Sequence, residues 1–143
     1  MNEDGIYYPK KSVIELWVKM LRSENPILNI RLPITDEKWL EEIVNTIERI
    51  KINYIAGIHS KAGHLLFYLD KNHNFLDGNK RTTIIVVYLF YFINGFEVTS
   101  GNRFRDLVKK VARSHGSRNK DDWMNKIKKE LSYITKKSNY DNL

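Results

Sequence analysis

Apolar positions recur along this chain at helical spacing, with polar residues filling the opposite faces. Ser12 is placed to cap a helix running to about Arg22, with Val13, Leu16, Trp17, Met20 and Leu21 on one face. Pro26 and Pro33 bound a loop, after which Thr35 or Asp36 starts a second helix. Its stripe is Trp39, Leu40, Ile43, Val44, Ile47 and Ile50. Residues 51–57 read two ways: Lys-Ile-Asn-Tyr-Ile alternates like a short strand, and Gly57 can turn the chain. A third helix is predicted over Ser60 to Leu69, slightly weakened by Gly63. From Ile84 to Ile93 every residue is apolar or aromatic. Its β-branched residues suit a buried strand, but its length and the Asn94-Gly95 C-cap favour a helix over about 80–94. A helix apolar on all sides belongs in the middle of a bundle. Two more helices follow near 102–114 and 119–135, with Leu107, Val108, Val111, Trp123, Ile127, Leu131 and Ile134 facing inward. The class is therefore all-α, in a single domain over residues 1–143 with a frayed tail at about 137–143.

Composition narrows this picture. The 143 residues, 42% hydrophobic, suit one core. The absence of cysteine excludes disulfides and zinc–thiolate sites. Met-Asn-Glu-Asp-Gly lacks the cationic start and apolar core of a signal peptide, and the longest apolar run is well short of the roughly 20 residues that span a bilayer. A soluble, cytoplasmic protein with no membrane partner is expected. The net charge of +7 attracts polyanions or an acidic protein, although a solvated basic surface explains it equally well.

The chemistry concentrates in residues 73–83, His-Asn-Phe-Leu-Asp-Gly-Asn-Lys-Arg-Thr-Thr, which feed the buried run. His73 is the one side chain there that titrates near neutrality, so it can take a proton from a hydroxyl. Asp77 is a hard oxygen ligand suited to Mg²⁺. Gly78 lets the backbone approach a ligand, and the N–H groups from Gly78 to Arg81 can nest an anion at a helix start. Lys80 offers phosphate a point charge and Arg81 a bidentate fork, while Phe75 and Leu76 anchor the loop. An ordinary Asp-Gly turn before a capped helix accounts for the spacing alone about as well.

The motif His-x-Phe-x-Asp-Gly-Asn-Lys-Arg-Thr resembles the signature of the Fic/Doc (Fido) family, with His73, Phe75, Asp77, Gly78, Asn79, Lys80 and Arg81 on motif positions. A looser similarity extends over roughly residues 55–131. The resemblance implies a compact helical bundle around a central buried helix, with room for a short β-hairpin flap. It implies ATP and Mg²⁺ at the loop: His73 activating a target hydroxyl, Asp77 holding the metal, Gly78, Asn79 and the following amides cradling phosphates, and Arg81 pairing with one. The substrate implied is a protein Ser, Thr or Tyr hydroxyl, with a translation factor such as elongation factor Tu as one candidate. Residues 50–58 are expected to help position it.

AMP-transferring members usually carry Gly where this chain has Lys80, so the resemblance is to the Doc toxin branch, which moves the γ-phosphoryl group. Gly78 instead follows the adenylylating branch, and position 74 is Asn rather than the common Pro. A Doc-like toxin kinase is thus the first expectation, and a Fic-type adenylyltransferase (AMPylation) the second. A basic binding module with a degenerate loop is the third. No Ser or Thr begins the family's inhibitory Ser/Thr-x-x-x-Glu motif, so control is expected from a separate antitoxin chain.

His59 and His64 are placed to flank the site, although filler roles are commoner for isolated histidines. The C-terminal third is strongly basic, from Lys109 to Lys129. It reads as a solvated face or as a docking surface for an acidic antitoxin or target. Its two helices are joined by too long a segment for a helix-turn-helix, which argues against nucleic acid.

Overall fold

The structure is a computed structural model and describes residues 4–24, 37–52, 55–71, 79–113 and 120–138. Six helices and two short strands make it up: α1 (Lys11–Glu24), α2 (Glu37–Ile50), α3 (Ile58–Asp70), α4 (Asn79–Ile93), β1 (Phe96–Val98), α5 (Gly101–Arg113), α6 (Lys120–Tyr133) and β2 (Thr135–Lys137). The all-α expectation holds. The expected helices appear with ends moved by a few residues.

Helix α3 is the hub, packing against α2, α4, α5 and α6. Ala62, Leu65, Leu66 and Leu69 are fully buried, and they share one core with Ile43, Ile47 and Ile50 of α2 and with Val86, Val87 and Phe90 of α4. Gly63 has a packing reason: a Cβ there would stand 3.4 Å from Ile127 Cγ2, so the missing side chain lets α6 lie close. Gly57, at φ 88°, is the N-cap of α3 and turns the chain as expected.

Helix α4 is buried on most of its circumference but not all. Tyr88 and Phe92 are 40% and 56% exposed, which corrects the reading of an apolar helix enclosed on every side. Trp17 of α1 covers part of this edge, its ring centroid 6.1 Å from Tyr88 and 5.6 Å from Phe92. The apolar face assigned to α1 also shifts. In its described first half Ile14 is fully buried, whereas Val13 and Leu16 are exposed. The side chains of Met20 and Leu21 lie outside the described residues.

The only sheet among the described residues pairs β1 with β2 antiparallel, Phe96 opposite Lys137 and Val98 opposite Thr135. The two strands are far apart in sequence, so this is not the hairpin flap that was expected. A cross-strand ion pair, Lys136 to Glu97 at 3.1 Å, sits on it. The strand reading of residues 51–57 finds no support: residues 51, 52 and 55–57 form turns and bends, and 53–54 lie outside the described residues.

Residues 4–10 are tied to the bundle by two polar clamps. The Lys61 ammonium, on a residue only 1% exposed, lies 2.9 Å from Asp4 Oδ2 and donates to the Ile50 carbonyl at 3.2 Å. It also sits 5.1 Å from the Tyr8 ring centroid. At the other end of α4, Asn94 imitates a strand partner. Its Oδ1 accepts from Tyr7 N at 2.8 Å, and its Nδ2 donates to Tyr7 O at 2.9 Å and to Phe90 O at 2.7 Å.

Candidate active site

The motif loop joins the C-terminus of α3 to the N-terminus of α4. His73, Phe75, Asp77 and Gly78 lie outside the described residues, as does the side chain of Asn79. The structure describes the two helix ends that frame the loop.

On the downstream side, Asn79 opens α4, and Lys80 and Arg81 follow it, both exposed. The first turn of α4 contains no acidic residue. Two cations at a helix N-terminus oppose the macrodipole, which favours negative charge there by about 0.3–1 kcal/mol per group. A helix N-terminus and the two cations favour one kind of guest, an anion. Behind them Thr82 and Thr83 are fully buried, so the turn is seated firmly on the core while its charged side chains reach solvent.

On the upstream side, α3 ends on Asp70, which is 4% exposed. Among the described residues, neither of its carboxylate oxygens has a hydrogen-bond partner. Burial pushes its carboxyl up to about 7, against a smaller downward pull from Lys71 and Lys80. Sequence reasoning passed over Asp70. The one available signal was an acid closing the apolar run Leu65–Leu69 three residues before His73, and such a residue normally reads as an exposed helix end. Burial of an unpartnered acid is uncommon in structural positions and recurs at functional ones.

The two flanking histidines have structural partners. His59 Nδ1 lies 3.0 Å from the Tyr91 hydroxyl, and its ring packs edge-on against Phe96. Burial, helped by Lys128, lowers its pKa and keeps it neutral. Tyr91 is fully buried, so its contact with His59 ties α3 to α4. His64 Nδ1 donates to the Ser60 carbonyl at 2.7 Å, one turn back along α3. Both are partly buried packing residues, and His115 lies outside the described residues.

Of residues 50–58, Ile50 and Ile55 are buried, and Ile52 and Ala56 are exposed. No three His, Cys, Asp or Glu side chains converge on a common point among the described residues. The metal donor expected from the motif, the carboxylate of Asp77, lies outside the described residues. That donor chemistry fits Mg²⁺, which commonly takes one or two carboxylates and shares phosphate oxygens.

The Fic/DOC family model matches residues 30–91, which takes in α2, α3, the motif loop and most of α4. The match supports a relationship to the Fic/Doc (Fido) proteins over the part of the chain that holds the candidate site. No curated protein and no solved structure matches the chain. No helix among the described residues is long and apolar enough to cross a membrane.

Proposed function

We propose that this chain is a nucleotide-dependent protein-modifying transferase of the Doc type, moving the γ-phosphoryl group of ATP to a Ser or Thr hydroxyl of a target protein. The observation that carries the reading is the first turn of α4, which presents Lys80 and Arg81 to solvent with no acidic residue among them. The helix start and both cations suit a polyphosphate. The match over residues 30–91 includes the loop that feeds this turn.

In this scheme His73 accepts the proton of the target hydroxyl as its oxygen attacks the γ-phosphorus. The bond from that phosphorus to the β–γ bridging oxygen breaks, and ADP leaves. Arg81 and the first amides of α4 hold the phosphates in line. Positioning and charge neutralisation supply most of the catalysis in such transfers. Mg²⁺, bound by Asp77 and phosphate oxygens, supplies further neutralisation. Lys80 favours a pose with the γ-phosphate beside His73, and Gly78 favours the competing adenylyl transfer. A translation factor as target and a separate antitoxin chain as regulator complete the proposal.

Incubation with lysate and ATP labelled at either the α- or the γ-phosphate tests the scheme. Label reaching protein from the γ-position supports phosphoryl transfer, and label from the α-position replaces it with AMP transfer. His73→Ala is expected to lower either rate by about 10²–10⁴-fold at unchanged stability. Undiminished transfer by that variant would remove the base assignment.

A further inference from the structure

The observation lies away from the motif, in the C-terminal third. Helices α5 and α6 both pack on α3 but touch each other only lightly. They leave between them an open groove of about 420 Å³, within the volume range of small ligand sites. Arg103 near the start of α5 pairs with Glu130 near the end of α6, so the helices run antiparallel. Lys110 therefore lies toward Trp123 and Lys126 at the other end.

The two ends of the groove differ in charge. At the first, Arg103 and Glu130 satisfy one another through two contacts, Nη2 at 2.8 Å and Nε at 3.0 Å. At the second, Lys110 and Lys126 form no ion pair among the described residues, and the Lys126 ammonium lies 5.6 Å from the Trp123 ring centroid. The floor between them is Leu107 and the half-buried indole of Trp123. Helix α5 adds field: Arg103, Arg105, Lys109, Lys110 and Arg113 stand against Asp106 alone.

We infer that the α5–α6 groove is a docking site for an acidic polypeptide segment that seats one apolar side chain on Leu107 and Trp123 and sets its carboxylates against Lys110 and Lys126. Charge complementarity selects acid, and the aromatic floor selects an apolar anchor. With Arg103 already paired to Glu130, the unpaired cations of the groove are confined to Lys110 and Lys126 at one end, which suits a short acidic segment with an apolar anchor rather than a continuous phosphate backbone. The inference is independent of the transferase reading.

The test is an NMR titration of the full chain, following the indole N–H of Trp123, assigned with Trp123→Phe. The probe is a synthetic glutamate-rich peptide with one central phenylalanine. Saturable shifts at Trp123 and Leu107 are expected. Replacing the phenylalanine with serine, or introducing Lys110→Glu with Lys126→Glu, should each weaken binding by roughly tenfold or more. Those lysines are exposed surface residues, so the thermal midpoint of the double variant should stay near that of the parent. No saturable shift at Trp123 would overturn the proposal, as would binding indifferent to the charge reversal. Tighter binding of a thymidine oligonucleotide at the same indole would replace the polypeptide with nucleic acid.

Discussion

The two ends of α4 follow opposite rules. At its C-terminus almost every polar group has a partner. Gly95 takes the positive φ of 77° that closes a helix, Asn94 bonds the Tyr7 backbone in both directions, and Ser138 donates to the Gly95 carbonyl from both its N–H and its Oγ. At its N-terminus the same helix carries two cations against its dipole and faces an unpartnered buried carboxylate at the end of α3. One end is arranged for stability, and the other gathers charge that forms no ion pair among the described residues. Local rules of consistency fail most often where a protein works.

Variants should separate the two ends. The largest effect is expected from Lys80→Ala combined with Arg81→Ala. Loss of two charge-assisted phosphate contacts at about 1.5–3 kcal/mol each should lower kcat/KM by about 10²–10⁴-fold. The thermal midpoint should hold or rise slightly, because both cations oppose the helix dipole. A matching fall in stability would make this end structural and erase the contrast.

Asp70→Leu comes next. The folded chain holds the Asp70 proton up to about pH 7, while the unfolded chain releases it near the ordinary carboxylate value of 3.8. Between those values the folded state binds more protons, so this residue makes stability fall as pH rises, by a total on the order of a few kcal/mol. Denaturant melts across that range should show the fall in the parent and a flatter profile in Asp70→Leu. Parallel profiles would mean that the acid is not buried uncompensated.

At the other end the effects are smaller and purely structural. Asn94→Ala removes the side chain that clamps residue 7, and a loss of about 1–3 kcal/mol is expected, read as a lower denaturation midpoint with unchanged transfer. Gly95→Ala places a side chain at positive φ and should cost about 1 kcal/mol. Loss of nucleotide binding in either variant would show that the two ends are coupled.

Helical periodicity made most of the fold legible. The stripe Leu40, Ile43, Ile47 and Ile50 and the inward set Leu107, Val108, Val111, Ile127 and Leu131 are buried as spaced. What escaped were features set by distant chain segments. β1 and β2 are three residues each, and their pairing exists only because α5 and α6 bring their ends together, so no local alternation announces it. Nothing in the residue order marks Lys61 and Asp70 as buried, because burial of a charge depends on tertiary surroundings. α1 was read with too broad an apolar face, since Val13 and Leu16 are exposed. The candidate site was legible as a motif; Lys80 and Arg81 follow Asn79 at the start of α4, and His73 to Gly78 lie outside the described residues. Asp70 was not, because its isolation is a property of packing and not of residue order.

The Lys61 ammonium has a consequence for handling the protein. Asp4 is its carboxylate partner, contributed by a short segment outside every helix. Removal of residues up to and including Asp4, by an exopeptidase or by the choice of an expression boundary, would strand a positive charge at the seam of α2 and α3. The leading residues thus serve as an integrity check: a clipped chain should fail first as a loosened seam at α2 and α3.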